Sequence, residues 1–355
     1  MKAAAGQFII GEDDTILVTG ASGFIGSRVV QALREYGFRR IRCLVRPSAA
    51  PEKTALLQNG DHAAGVELFV GDLLSKDDCL AAAKEAALVI HLAAGRGEKS
   101  IPDAFMNSVV TTRNLLEACS RQGDLRRFVN VSSFAVYTNR DKPRRNLLDE
   151  SCPVEQHPEV RGDAYCFAKV RQDEMVREYG EKAGIPWVLV RPGAVYGPGN
   201  PGLTARVGIG TFGLFLHLGG SNPIPLTYVD NCAKAIVLAG LVPGIEGEIF
   251  NVLDDDLPTS GKLLRLYKKH VRHFRSLYVP KPVSYGLCWL WERYCSRTQN
   301  QLPPVFNRSR WACFWKKTAY SNEKLKTRLG WTPGISTSEG LRRHFEACRT
   351  GAAHA

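Results

Sequence analysis

In the segment DAYCFAK, Asp163 to Lys169, a tyrosine and a lysine stand four residues apart. On a helix that spacing puts Tyr165 and Lys169 on adjacent turns of one face. A phenol near pKa 10 is a poor base at neutral pH, and a nearby ammonium favours its phenolate. Taken alone, the pattern fits an exposed helix face with a lysine stem lying along it equally well. A second constellation lies near the N-terminus, where ILVTGASGFIG runs from a strand into a helix beginning near Phe24, with Gly20, Gly23 and Gly26 in the turn. Gly20 permits the tight turn, Gly23 lets backbone approach a pyrophosphate, and Gly26 lets the helix pack closely on the strand. The helix N-terminus then offers free N–H groups and a partial positive charge to the phosphates. A dinucleotide cofactor is expected.

Which dinucleotide depends on the end of the second strand. An acid about 20 residues past the turn would hold the ribose 2′-hydroxyl of NAD. IRCLVRPS instead supplies Arg46, and no acid occurs before Glu52. A guanidinium can grip a 2′-phosphate by two hydrogen bonds, whereas a carboxylate would repel it, so NADP is favoured over NAD. The alternative is an exposed arginine that merely closes a strand.

These groups need a rigid frame. TILV, IRCLV, VELFV, ALVIHL, RFVNVS and WVLVR read as short strands that are mostly apolar. Amphipathic patterns such as Phe24–Tyr36, Asp103–Arg121 and Asp163–Ala183 lie between them. That alternation predicts an α/β fold with a doubly wound parallel sheet. RPGAVYGPGNPG after Arg191 reads as a long loop, and IPLTYV and GEIFNV as two further strands around a helix capped by Asp230. Residues 1–192 with roughly 224–252 are expected to hold the nucleotide, and 193–223 with 253–355 to form a smaller substrate-binding part. In that part Val283, Leu287, Leu290, Trp291 and Tyr294 mark a helix, SNEKLKTRLG a short helix stopped by Gly330, and Ser336 with Glu339 a capping box.

TGASGFIG, GDL at Gly71–Leu73, HLAA at His91–Ala94, VSSFAVY, YCFAK and RPGAVYGPG occur in the order found in extended short-chain dehydrogenases/reductases, which the chain resembles over nearly its whole length. The resemblance implies that Ser22, Phe24 and Ile25 line the cofactor with the glycines, that Asp72 and Leu73 face the adenine, and that Leu92, Ala93 and Ala94 border the cofactor. Pro192, Gly193 and Val195 would lie near the nicotinamide. It implies that Tyr165 exchanges a proton with the substrate oxygen, that Lys169 also binds the nicotinamide ribose, and that Ser133, four residues before Tyr137, holds the substrate oxygen. Asn107 matches an asparagine usable in a water relay, with a structural role equally open; His91 reads as structural. Ser133-Phe134-Ala135 replaces the Thr-Asp-Glu of dehydratases, and Ala194 stands where epimerases commonly carry asparagine. The pattern is closest to the hydroxysteroid-dehydrogenase and dihydroflavonol-reductase branch, which implies a secondary alcohol or ketone on a bulky substrate. A nucleotide-sugar epimerase or ketoreductase is the second reading, and a non-catalytic cofactor-binding protein the third. A homodimer packed through the Tyr-Lys helix is implied by analogy.

Composition is that of a globular chain, 44% hydrophobic and 23% charged, with no apolar run long enough for a membrane span. The first residues lack the continuous apolar core of a secretory signal. Ten cysteines without a C-x-x-C pair suggest reduced thiols in a cytoplasmic setting and no metal site. The net charge of +12 is concentrated: residues 261–317 hold 13 Lys/Arg against one acid, Glu292, together with eleven aromatics. No nucleic acid is expected. The favoured reading of that segment is a basic outer face over the substrate cleft, with peripheral membrane contact the less favoured alternative.

Overall fold

The computed structural model describes residues 8–51, 54, 57, 65–95, 100–140, 142, 146–211, 213–297 and 306–350. Glu52 and part of the basic segment, 298–305, lie outside them.

Seven strands form the central sheet: β1 (Thr15–Thr19), β2 (Ile41–Val45), β3 (Val66–Val70), β4 (Ala86–His91), β5 (Arg127–Val131), β6 (Trp187–Pro192) and β7 (Ile249–Val252). Their order is β7-β6-β5-β4-β1-β2-β3, every neighbour parallel. Both faces of the sheet are apolar, which explains why the strands read as near-continuous hydrophobic runs. Ile16, Val18, Ile90, Val129 and Val190 point to one side, against α1 (Gly26–Glu35) and, further along the chain, the helix Val229–Leu241. Leu17, Val89, Phe128 and Leu189 point to the other, against α2 (Lys76–Ala83), α3 (Thr111–Cys119) and α4 (Ala164–Ala183). The strand order reverses between β1 and β4, and in such sheets a crevice for ligands opens there, beyond the carboxyl ends of the strands.

Of the two further strands expected, only Ile249–Val252 joins this sheet. Leu226–Tyr228 pairs instead with Ala194–Tyr196 as a separate two-stranded ribbon. Gly193 makes the ribbon possible, because a Cβ there would meet the Pro225 carbonyl oxygen at 2.2 Å. The helix between them, α5 (Val229–Leu241), is not capped by Asp230: the N-cap is Tyr228, and Asp230 sits in the first turn, 3.5 Å from the Arg28 guanidinium. The other end of α5 is held by Arg127, fully buried, which donates to the carbonyls of Ala239 and Val242 and pairs with Glu246. A cation on the last carbonyls complements the negative end of the helix.

The remaining helices are α6 (Ser260–His270), α7 (Lys281–Arg297), α8 (Arg308–Trp315), α9 (Glu323–Leu329) and α10 (Thr337–Arg349). Gly330 ends α9 at φ +61°, as the sequence predicted, and of the expected capping box the Ser336 side chain accepts from the Glu339 amide at the start of α10, while the Glu339 carboxylate accepts from Arg342 and Arg343 instead. Helices α6 and α10 pack with the ribbon around Tyr196, Leu226, Leu263 and Phe345. Helix α7 departs from expectation. Its buried residues are Ser284, Cys288 and Cys295, and its large apolar side chains are exposed. No disulfide forms among the described residues, and all ten cysteines but Cys348 are buried; burial pushes the thiols of Cys43, Cys79 and Cys166 up to about 12.

Gly26 carries the contact between α1 and β1, since a Cβ there would stand 2.1 Å from the Gly20 carbonyl oxygen and 2.8 Å from Ala21 Cα. Both obstacles are backbone. Gly26→Ala is therefore expected to lower unfolding stability by roughly 1–3 kcal/mol or more in urea titration, as over-packing does; an unchanged midpoint would refute this packing.

Candidate active site

The nucleotide end of the crevice is built from backbone. Gly20, at φ +71°, turns the chain out of β1, and a Cβ on it would meet the Ala93 amide at 2.9 Å. The glycine turn and the loop after β4 are thus pressed together. Thr19 joins them: its carbonyl accepts from the Leu92 amide at 3.1 Å and its hydroxyl from the Ala93 amide at 3.3 Å. Gly23 is exposed, and a Cβ there would meet only the Gly20 carbonyl oxygen, at 3.1 Å. The first turn of α1 carries no acid, and no side chain caps its N–H groups. This open, uncapped turn fits a pyrophosphate. Ser22 is half-buried beside it. Phe24 leans on the C-terminal cluster and Ile25 on the main core, so both contribute mainly as walls.

Asp72 and Leu73 form the turn after β3. The Asp72 carboxylate accepts from the Leu74 amide at 3.0 Å, and Asn114 on α3 donates to the carbonyls of Leu73 and Leu74 at 3.0 and 3.1 Å. Leu73 is buried and Asp72 exposed. Arg46 follows the last residue of β2, at the carboxyl edge of the sheet, and is exposed. Leu92, Ala93 and Ala94 are half-buried along the crevice.

Helix α4 carries Tyr165 and Lys169. Asp163 caps it, accepting from the Cys166 amide at 3.2 Å. Tyr165 in the first turn is 39% exposed, so a substrate can reach it. Lys169, one turn on, is buried, and its Nζ donates to the Val131 carbonyl at 2.8 Å. Val131 ends β5, two residues before Ser133. Ser133 starts a short 3₁₀ turn, Phe134–Val136, its Oγ accepting from the Ala135 amide at 3.2 Å. Phe134, Val136, Cys166 and Val170 pack together, so the serine turn and the Tyr-Lys helix share one apolar cluster. Asn107 lies on the exposed side of a π turn, Phe105–Val110, that leads into α3, and its carbonyl accepts from the Thr111 hydroxyl at 3.0 Å. Pro192 ends β6, and Gly193 and Val195 belong to the ribbon segment beyond it. A cavity of 240 Å³ opens beside Ala194 and Val195, and neither Ser133 nor Tyr165 lines it.

Two buried polar chains fix α4, and neither was foreseen. In the first, the Asp173 carboxylate accepts from Arg191 at 3.0 and 3.2 Å and from Asn130 at 3.2 Å. Arg191 also lies over the Tyr137 ring, 4.9 Å from its centroid. The signal available in the sequence was Asp173 standing four residues after Lys169, with an arginine ending an apolar strand. In the second, His91 bridges Thr19 Oγ1, 2.7 Å from Nδ1, and Thr112 Oγ1, 2.9 Å from Nε2. The Thr112 hydroxyl donates to the Ser108 carbonyl at 2.6 Å and accepts from Gln172 at 2.6 Å. Its proton being committed, His91 must donate from Nε2 and accept at Nδ1. His91 is structural, as the sequence reading had it.

Burial, and after it the Lys169 ammonium, push the His91 imidazole down to about 3. The unfolded chain takes this proton near pH 6.5, so the site's contribution to stability is full above that pH and is lost as pH falls toward 3, by at most about 1.4 kcal/mol per unit. Nitrogen NMR at pH 5 is expected to find His91 neutral as the Nε2–H tautomer; protonation with a midpoint in the ordinary histidine range would refute the assignment.

Residues 16–252 match the NAD dependent epimerase/dehydratase family. The chain is 28% identical over 353 residues to a decarboxylating sterol-4-alpha-carboxylate 3-dehydrogenase of Saccharomyces cerevisiae, covering 93% of this chain and 96% of that one. It is 26% identical to 2-alkyl-3-oxoalkanoate reductase of Stenotrophomonas maltophilia, over 92% and 97% of the two chains. Among solved structures it is similar to the UDP-glucuronic acid 4-epimerase of Bacillus cereus in complex with UDP-glucuronic acid and NAD, with a TM-score of 0.70, 22% identity, and 95% and 99% of the chains covered. The glycine turn, the strand order and the matched length agree, and the chain belongs to the NAD-dependent epimerase/dehydratase family.

Proposed function

We propose that the protein is an NAD(P)-dependent oxidoreductase that interconverts a secondary alcohol and a ketone on a bulky substrate. The observation that carries this reading is the placement of Tyr165: reachable by a substrate, one turn from a lysine tied to the end of β5, beside the Ser133 turn. When bound, the nicotinamide would accept or give the hydride. Tyr165 then takes the carbinol proton or returns it, and the Lys169 charge favours the phenolate between these steps. Ser133 holds the substrate oxygen beside the phenol. Gly20, Gly23 and Gly26 with the start of α1 would hold the pyrophosphate.

The sterol and oxoalkanoate relatives, named for a dehydrogenase and a reductase, support an alcohol/ketone couple on a large apolar molecule. Dehydration is disfavoured because Phe134 is buried, edge-on to Tyr137 and stacked on Tyr320. The second reading, a nucleotide-sugar 4-epimerase using the same three residues, is supported by the likeness in fold to a UDP-glucuronic acid epimerase. We further propose a preference for NADP, on the exposed Arg46 and the lack of an acid beside it. The proposed division keeps 1–192 with roughly 224–252 for the nucleotide and 193–223 with 253–355 for the substrate. A cytoplasmic homodimer packed through α4 and the helical segment before α3 completes the reading, supported by Phe105 and Met106, both exposed there.

Tyr165→Phe is expected to lower kcat by roughly 10²–10⁴-fold while dinucleotide affinity is kept; full turnover would end the enzymatic assignment. Substrates should be sought in parallel panels of sterol-like alcohols and ketones and of UDP-sugars, read by absorbance of the reduced cofactor. A UDP-sugar converted without net cofactor consumption would favour the epimerase. Arg46→Asp should weaken NADPH relative to NADH by at least tenfold, and an unchanged ratio would remove Arg46 from cofactor selection.

A further inference from the structure

Helix α7 has its amphipathicity reversed. A helix packed on a globular core buries its large apolar side chains, but the buried face here is Ser284, Cys288 and Cys295. Outward stand Val283, Leu287, Leu290 and Tyr294, at 52, 57, 56 and 53% exposure, spaced four, three and four residues apart and so forming one continuous stripe. Trp289 and Trp291 flank it, at 45 and 37% exposure. Leu277 and Tyr278, just before the helix, are exposed as well. The fold does not require this arrangement, because α7 is already seated: Ser284 Oγ accepts from Trp311 Nε1 at 2.9 Å, and Tyr285 packs edge-on against the same ring.

Charge identifies the partner. The surrounding segment, 261–317, carries 13 Lys/Arg against Glu292 alone, and Glu292 is taken up by Arg308 at 2.7 Å. Arg293 and Arg297 are exposed on α7 itself. An apolar stripe with indole and phenol rings beside it and arginines at its border matches a bilayer boundary, where rings and aliphatic groups enter below the headgroups and cations meet lipid phosphates. No helix among the described residues is long and apolar enough to cross a membrane. We propose that α7 lies in the surface of a membrane containing anionic lipid, with the Val283–Tyr294 stripe inserted and the basic residues on the headgroups. The favoured expectation from the sequence, that this helix covers the substrate cleft, is replaced by an outward-facing one.

The test uses the full chain with vesicles of phosphatidylcholine alone or with about one-third phosphatidylglycerol, separated by flotation. Wild type should float with the anionic vesicles, with tryptophan emission shifted to the blue. The double variant Leu287→Ser, Leu290→Ser changes two outward residues, so its melting curve should match wild type while its partitioning falls at least tenfold. Arg293→Glu with Arg297→Glu should weaken binding and its salt dependence. Three outcomes would overturn the proposal: no flotation of wild type, equal flotation of the leucine variant (attraction by net charge only), or loss of a dimer in the leucine variant with no vesicle binding by wild type. Binding is read without turnover, so its failure leaves the assignment of Tyr165 untouched.

Discussion

The orientation of one helix about its own axis decides where Tyr165, the proposed proton-transfer group, points. Helix α4 is held in rotation by two polar ties one turn apart, Lys169 on the Val131 carbonyl and Asp173 on Arg191 and Asn130. All three partners belong to the carboxyl halves of β5 and β6. A turn of the helix by one residue, about 100°, would carry both side chains away from these groups at once. Breaking a buried ion pair by removing one member costs about 3–5 kcal/mol, so the chosen rotation has no near competitor. Tyr165 inherits its direction from that choice.

The histidine chain adds a third constraint from the neighbouring face. Gln172, three residues after Lys169, reaches Thr112 and through it His91 and Thr19. Thr19 is also the residue that draws the β4 loop onto the glycine turn. A run of hydrogen bonds therefore joins the helix carrying the phenol to the turn suited to the pyrophosphate. The two ends of the crevice are set in one rigid frame, as hydride transfer needs reacting atoms placed to within about half an ångström.

Much of this frame is legible in the residues themselves. Apolar strands, the glycine turn and the helix ends at Gly330 and Ser336 follow from local rules, because each is set by groups a few positions apart. The Tyr-Lys helix and the Ser133 turn could be placed by motif. What escaped reading depends on partners far along the chain. Asp173 looks like one more surface acid until Arg191, 18 positions away, is folded against it. Leu226–Tyr228 has the composition of a sheet strand, yet its place is decided by the gap that Gly193 leaves beside Pro225. Helix α7 shows the same limit in reverse: its stripe predicted a helix correctly, but periodicity alone cannot say which side faces the core.

The sealed cysteines have a practical corollary. With the thiols of Cys43, Cys119, Cys166 and Cys232 pushed up by burial, almost no thiolate is available there to an electrophile while the chain is closed. Cys119 and Cys232 sit against opposite faces of the sheet. Alkylation at either position therefore clocks the opening of one layer independently of the other, and the chain carries its own pair of reporters for how its two halves breathe.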